Sequence, residues 1–177
     1  MILKKDFFDR DVLDAAPELV GKRLVTDIGG QVRSLIITET EAYRGEEDTA
    51  CHASKGKTKR TEILYRDSGT IYIYLCYGMH WLLNVVTGGK DNPQAVLIRA
   101  CEGKFNGPAK LTKQLGITGE LNGENIFDNP KIWIEDTGEK CKITTDKRVG
   151  IDYATEKYRN IKWRFILEAS DTKIYNL

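Results

Sequence analysis

Residue types that bind metal ions are scarce in this sequence. It has two histidines, His52 and His80, and four cysteines that form no C-x-x-C pair. Structural zinc sites take four ligands from closely spaced Cys and His side chains. We therefore predict no metal and no other cofactor, and expect free, reduced thiols packed as small apolar groups. The cysteines are Cys51, Cys76, Cys101 and Cys141.

Long apolar runs are also absent, and the N-terminal segment MILKKDFFDRDVLD carries charges from Lys4 onward. A membrane-spanning helix needs about 20 apolar residues, and a signal peptide needs an apolar stretch of about 7–15. The sequence therefore predicts a cytoplasmic protein that does not associate with membranes.

Net charge is low, at +1, so overall composition does not indicate a nucleic-acid-binding protein. The charge is nevertheless uneven, because residues 52–66 contain many basic side chains and a single acidic one, Glu62. The basic residues are Lys55, Lys57, Lys59, Arg60 and Arg66. Such a run is most often a solvated loop, and the alternative is a surface that binds phosphate groups.

Nothing in the sequence divides the chain. Its 177 residues include no internal repeat, no low-complexity tract and no long linker. Segments typical of strands outnumber helical segments, and several are joined by short turns. We predict one domain over residues 1–177 with an α+β fold, in which peripheral helices surround a curved, mainly antiparallel β-sheet core.

Turn and cap residues locate several elements. Asp11 predicts a helix start, Pro17 a second short helical segment, and Gly29–Gly30 a hairpin turn. Pro108 and Gly116 predict the two ends of another helix. Strands are predicted in GTIYIYLCYGM, WLLNVVTG, AVLIRAC, KIWIED and IKWRFILEA, and a turn with a short helix in RVGIDYATEKYRN.

The segment ITETEAY places two carboxylates on a strand. Alternation predicts that Glu39, Glu41 and Tyr43 share a face with Leu35 and Ile37. A strand that runs out of the core into a cleft would expose such a carboxylate as a general base. On this segment alone, a solvent-facing edge strand is the better explanation.

Tyrosines follow one another in IYIYLCYG. Tyr72 and Tyr74 share a strand face, whereas Gly78 indicates a turn that would project Tyr77 from its tip. Aromatic strand residues usually pack in a core, and this explanation is strongest for Tyr72 and Trp81.

Three polar residues stand out from their surroundings. Asn84 lies in WLLNVV and Arg99 in AVLIRAC, where a buried polar group needs a partner. Either side chain could satisfy nearby groups, or orient a catalytic acid or a water. His52, next to the basic run, is either structural or a ligand contact.

Several segments follow one another along the chain in a fixed order, which is ETEAY, His52, GTIYIYLCYGMHWLLNVV, VLIRA, NGPAKL, RVGI and WRF. This ordered set closely resembles the alkyladenine (3-methyladenine, or methylpurine) DNA glycosylase family. The similarity covers nearly the whole chain and is more specific than any single motif. It implies a base-excision-repair enzyme that flips alkylated or deaminated purines out of double-stranded DNA.

The resemblance also implies roles for individual residues. Glu41 would activate a water that attacks the sugar, with Asn84 and Arg99 positioning both. The base pocket would be formed by Tyr43, His52 and Tyr74, and Tyr77 would intercalate into the DNA. Lys110, Lys55, Lys57 and Arg60 would contact the DNA backbone, Lys110 because helix N-termini favour anions.

A carboxylate, not a lysine, in the attacking position implies simple hydrolysis to an abasic site without lyase activity. We expect a monomer associated with the nucleoid, with no obligate protein partner. The sequence departs from the family's usual pattern at Lys59, Thr61, Leu64–Tyr65 and Lys162, and these positions bear on substrate range and DNA contacts.

Two other functions compete with this prediction. A metal-dependent nuclease would gather the carboxylates of the region, although alternation brings together only Glu39 and Glu41 and we expect Glu46–Asp48 in a solvated turn. The candidate ligands are Glu39, Glu41, Glu46, Glu47 and Asp48. A non-catalytic module that binds damaged DNA would use Tyr77 and the basic run.

Overall fold

The computed structural model describes residues 1–168, so Ala169 at the end of the predicted last strand lies outside the described residues. The α-helices are α1 (Lys5–Phe8), α2 (Val12–Leu19), α3 (Pro108–Leu115) and α4 (Glu156–Asn160). The strands are β1 (Arg23–Ile28), β2 (Gln31–Arg44), β3 (Ile71–Cys76), β4 (His80–Thr87), β5 (Gln94–Cys101), β6 (Ile132–Glu135), β7 (Ile143–Asp146) and β8 (Arg164–Leu167). Short 3₁₀ helices cover His52–Lys55, Glu62–Tyr65 and Gly119–Leu121.

The strands form one sheet in the order β3-β4-β5-β2-β1-β6, with β8 paired to β2 and β7 paired to β8. All of these pairings are antiparallel. The sheet curls around the long strand β2, which pairs with β1 at its start and with β5 and β8 further along. This confirms the predicted α+β fold with a curved antiparallel sheet.

Most of the predicted turn and cap residues are confirmed. Asp11 caps α2 by accepting the Leu13 amide at 2.9 Å. Gly29 and Gly30, with φ of 64° and 72°, turn β1 into β2. Pro108 lies in the first turn of α3, and Gly116 ends that helix in the left-handed conformation.

The prediction for Pro17 was wrong, because this residue lies inside α2 and does not start a new segment. The residue lacks an N–H, so the bond that would reach the Leu13 carbonyl is missing and α2 ends soon after, at Leu19. Strand β7 was not predicted, since ITTD is short and three of its four residues are exposed.

Helices α2 and α3 pack on one face of the sheet and build the main core. Its fully buried side chains include Phe8, Leu19, Leu24, Ile98 and Leu111. The opposite face of β3, β4 and β5 carries a second, smaller cluster with Tyr72 and Ala95. Within residues 1–168, no helix is both long and apolar enough to cross a bilayer.

An irregularity in β2 changes which side chains share a face. The register between β2 and β5 shifts between Ile37 and Glu39 and again between Glu39 and Thr40. Ile37 therefore packs in the main core together with Ala42, five positions away. The prediction that Glu41 shares a face with Leu35 and Ile37 was wrong, because strict alternation fails at this point.

Candidate active site

A cavity of about 240 Å³ opens on the sheet face opposite α2 and α3. Its walls come from β2, β3, β4 and β5, from residues 50–52 and 149–151, and from single side chains, which include Leu64, Pro108 and Tyr153. The structure brings the predicted residues together here: the lining includes Glu41, Tyr43, His52, Tyr74, Asn84 and Arg99. The volume lies below the roughly 300–1,000 Å³ of sites for drug-sized ligands, and therefore suits a single heterocycle.

Glu41 is fully buried at the base of this cavity. Its Oε1 accepts the Val149 amide at 2.9 Å and forms an ion pair with Arg99, whose Nε lies 3.1 Å away. Its Oε2 accepts the Tyr43 hydroxyl at 2.7 Å. Burial raises the pKa of Glu41, while the Tyr43 and Val149 donors and then the Arg99 charge oppose that rise. The result is an oriented carboxylate that is more basic than an exposed one.

Arg99 is held in place by a second carboxylate. Its Nη1 lies 3.1 Å from Glu39 Oε2, and Arg164 Nη1 lies 3.2 Å from the same oxygen. All three side chains are less than one-fifth exposed. Glu39 thus fixes the guanidinium of Arg99 against Glu41 and is occupied by two arginines.

Asn84 lies on β4 opposite Leu97 and lines the cavity. Its Nδ2 donates to Tyr72 O at 3.2 Å, which fixes the orientation of the amide. Among the described residues, no donor reaches its Oδ1. Asn84 therefore offers one acceptor for a hydrogen bond from a water or ligand in the cavity.

An aromatic cluster forms another wall. The ring centroids of His52 and Tyr74 are 4.7 Å apart, and those of Tyr72 and Tyr74 are 5.5 Å apart. His52 Nδ1 lies 2.8 Å from the Tyr72 hydroxyl. Burial, and then the nearby Arg60 and Lys55 charges, lower the pKa of His52 to about 4. The imidazole is therefore neutral at pH 7.

Tyr72 goes beyond the packing role that its sequence favoured. Only 3% of Tyr72 is exposed, yet it lines the cavity, and its hydroxyl lies against the His52 ring and orients it. The sequence indicated only that Tyr72 shares a strand face with Tyr74. This pattern is the same for a residue that lines a cavity and for one that packs in the core.

Tyr43 contributes both its ring and its hydroxyl. The guanidinium of Arg148 lies 4.8 Å from the ring centroid and covers one side of the ring. Burial, and then the Glu41 carboxylate, raise the pKa of Tyr43 well above its ordinary value. The hydroxyl therefore stays protonated and remains a donor to Glu41.

Tyr77 stands at the tip of the β3–β4 hairpin. Its side chain is 89% exposed, and both Tyr77 and Gly78 have positive φ, at 50° and 69°. Leu75 and Met79 beside it are also exposed, so the tip is apolar. Tyr77 also lines the mouth of the cavity.

Four basic residues are predicted to contact the DNA backbone, and all of them are exposed: Lys55, Lys57, Arg60 and Lys110. Arg60 lies nearest the aromatic cluster, 5.6 Å from the Tyr74 ring centroid. Lys110 donates to Asn106 at 2.9 Å on α3, whose first residue, Pro108, lines the cavity. Lys57 lies instead over Tyr65, within 3.9 Å of Asp91. Their contacts with DNA stay predictions.

The sequence interpretation missed the pair Arg148–Asp48. Asp48 was expected in a solvated turn, and that was wrong: both side chains are fully buried and joined at 2.6 and 2.9 Å. Asp48 also accepts the amides of Arg44 and Ala50, which draws it inward. The only signal was the motif RVGI, which contains Arg148.

The acidic residues proposed for a nuclease do not converge. Glu46 accepts the Tyr65 hydroxyl, Asp48 binds Arg148, and Glu39 and Glu41 face arginines. In residues 1–168, no group of three or more His, Cys, Asp or Glu side chains is arranged to hold a metal ion.

Comparison with known proteins identifies the family of this chain. A profile of the methylpurine-DNA glycosylase family matches residues 6–104 and 102–171. The chain belongs to this family. As a member it is a DNA glycosylase, a hydrolase of DNA repair.

Curated relatives support the assignment over the full length. A protein of Desulfitobacterium hafniense is 44% identical, covering 95% of this chain and 96% of the relative. One from Chlamydia pneumoniae is 41% identical with 97% of each chain covered. One from Rickettsia rickettsii is 41% identical, covering 99% and 92%. All three carry 3-methyladenine DNA glycosylase as a provisional name.

Proposed function

We propose that this glycosylase removes alkylated or deaminated purines from double-stranded DNA by hydrolysis with a water activated by Glu41. The observation that carries the proposal is the Glu41 carboxylate, which lines an aromatic cavity and is oriented by two hydrogen-bond donors and the Arg99 guanidinium. Arg99 and Asn84 line the same cavity and would position the attacking water.

Access to the reacting bond requires base flipping. A stacked base must leave the duplex at a cost of a few kcal/mol, and stacking on an aromatic side chain returns about 1–3 kcal/mol. Tyr43 and Tyr74 would contact the flipped base from the two sides of the cavity. The exposed Tyr77 would fill the gap left in the duplex and slow the return of the base.

The cavity suits a base that carries positive charge. Purines alkylated at N3 or N7 are cationic, and the faces of tyrosine rings attract cations. A protonated histidine would repel such a base, but the lowered pKa of His52, about 4, keeps its imidazole neutral at pH 7. The pocket therefore offers electron-rich rings without an opposing charge at His52.

The reaction consists of one displacement. The water oxygen bonds to C1′ of the sugar while its proton passes to Glu41. The bond from C1′ to the purine nitrogen breaks, and its electron pair leaves with the base, which neutralises an alkylated purine. A neutral deaminated purine would leave as an anion and take up a proton from water. No lysine is among the described residues that line the cavity. An abasic site without strand cleavage is the expected product.

The test is base release from duplex DNA containing one alkylated purine or hypoxanthine, with EDTA present. General-base catalysis contributes about 10²–10⁴-fold, so Glu41→Gln should slow release by that factor. Glu102→Gln is a matched control, because this partly buried glutamate also accepts a backbone amide but lies outside the cavity lining.

Three results would contradict the proposal. Equal release by wild type and Glu41→Gln would remove Glu41 from the reaction. Tight binding to the lesion without any release would indicate a recognition module. Strand cleavage that requires added magnesium would indicate a nuclease.

A further inference from the structure

The segment Asp146–Gly150 brings a backbone donor to Glu41 from a distant part of the chain. Val149 N lies 2.9 Å from Glu41 Oε1, although the two residues are 108 positions apart. The Val149 side chain is 49% exposed, so burial of that side chain does not hold the segment in place. Arg164 Nε donates to Lys147 O at 2.8 Å and anchors the start of the segment, and a contact nearer to Val149 fixes the amide itself.

Arg148, the preceding residue, provides that contact. Its Nη1 and Nη2 bind the two carboxylate oxygens of Asp48 at 2.6 and 2.9 Å. The same nitrogens donate to Ala42 O at 2.9 Å and to Tyr158 O at 3.3 Å. Arg148 thus ties the Val149 segment to strand β2, to the turn after it and to helix α4.

Arg148 also fixes the ring of Tyr43. Its guanidinium carbon lies 4.8 Å from the Tyr43 ring centroid and 5.2 Å from that of Trp163. Arg148 thus packs against Tyr43, whose hydroxyl is a second donor to Glu41. One guanidinium therefore supports two of the donors that surround the carboxylate.

Stability alone is a weak explanation for this pair. Both side chains are fully buried, and Arg148 Nε has no partner within residues 1–168. Desolvation of two charges commonly offsets their attraction, and well-packed apolar residues of similar volume are often as stable. A buried pair with one unsatisfied donor is better explained by the geometry that it imposes.

We propose that Arg148 and Asp48 are positioning residues that hold the Val149 amide and the Tyr43 hydroxyl against Glu41, and so set the pH range in which Glu41 acts. This inference rests on the proposed function.

The titratable or charged groups that face Glu41 come from several elements. They are Tyr43 on β2, Tyr74 on β3, Arg99 on β5, Arg148, and Tyr153 beyond it.

Loss of the pair has a consequence of known sign. Without the Val149 and Tyr43 donors, and without the Arg148 charge where that is removed too, the pKa of Glu41 rises further, because burial then acts with less opposition. A general base works in its ionised form, so the acid side of the pH–rate profile should move to higher pH. A hydrogen bond of ordinary strength corresponds to about one pH unit.

The experiment compares pH profiles of single-turnover base release. Asp48→Asn/Arg148→Gln removes both charges together and leaves no lone buried ion. Arg148→Lys keeps the charge near Glu41 but loses the bidentate contact and the stacking. We expect a shift of about one pH unit for the double variant and a smaller shift for Arg148→Lys, with release partly recovered at high pH.

The control is another bidentate pair, Arg44 and Asp11, which lies outside the cavity lining. Asp11→Asn/Arg44→Gln should lower the unfolding midpoint and leave the profile in place. If the Asp48–Arg148 variant behaves as this control does, the pair is merely structural and the proposal is wrong.

A second measurement uses the wild-type protein, so it does not depend on any variant folding. The NMR shift of the Val149 amide should follow the titration of Glu41, and this amide should exchange slowly with solvent. Fast exchange and no titration would overturn the proposal. If wild type released no base, the proposed function would fail, whereas this measurement would still report on the contact.

Discussion

His52 is a buried histidine in the aromatic wall of the cavity, and its surroundings disfavour its charged form. It lies between the Tyr72 hydroxyl and the Tyr74 ring, with Arg60 and Lys55 nearby. Burial, with those cations, lowers the pKa of His52 from 6.5 to about 4. The folded protein therefore disfavours the protonated ring, and this preference is linked to stability.

The sign of the linkage gives a testable pH dependence. The stabilising contribution of neutral His52 is complete above pH 6.5, the unfolded pKa, and is lost as pH falls toward about 4. Between pH 7.5 and 5, wild type should lose about 1–2 kcal/mol more unfolding free energy than His52→Gln. Urea denaturation at both pH values measures this, and equal losses would contradict the low pKa.

Among structural elements, the β3–β4 hairpin combines strain with exposure. Tyr77 adopts a φ of 50°, which bulky residues rarely do, and it is followed by Gly78 at 69°. A side chain at Gly78 would meet no atom within 4 Å, so substitution there adds backbone strain without a clash. A substitution at Gly78 therefore tests the backbone conformation of the hairpin tip without changing its packing.

Gly78→Ala should therefore destabilise the protein by about 1–2 kcal/mol and also slow base release from duplex DNA, because Tyr77 is displaced. Gly29→Ala is the matched control: it has a φ of 64° in the other hairpin turn and is equally open. Thermal unfolding and duplex cleavage after alkali measure the two effects. A loss of activity as large in Gly29→Ala would mean that strain, and not Tyr77, is responsible.

At the same scale, sequence patterns located most elements but not the register that forms the site. The helix cap, the hairpin turn and the helix start depend only on neighbouring residues, so they can be predicted without knowledge of the fold. They are Asp11, Gly29–Gly30 and Pro108. The face change between Ile37 and Glu39 depends on how β2 meets β5, which no local pattern contains. The inward turn of Asp48 similarly depends on Arg148, 100 residues away.

For the whole molecule, charge is balanced overall and concentrated locally. With a net charge of +1, long-range attraction to DNA is weak, and we expect binding to depend on individual cations near the cavity. Lys110 is a candidate because it lies in the first turn of α3, next to the cavity-lining Pro108. A phosphate contact there would be favoured by the helix N-terminus.

Lys110→Ala should weaken duplex binding and reduce the slope of log K against log salt by about one. Lys113→Ala is the matched control, since it removes an exposed lysine from the last turn of the same helix. Titrations at several salt concentrations measure both slopes. Equal slopes for wild type and Lys110→Ala would remove this lysine from the DNA interface.

The contact between Val149 and Glu41 also orders events during synthesis. A ribosome releases Glu41 and Arg99 well before the segment that supplies the Val149 amide, 108 positions after Glu41. A nascent chain therefore holds the Glu41 carboxylate without the Val149 donor. Contacts across such separations form late because a long loop must first close. Excision capacity should accordingly appear abruptly, when nearly the whole polypeptide has emerged.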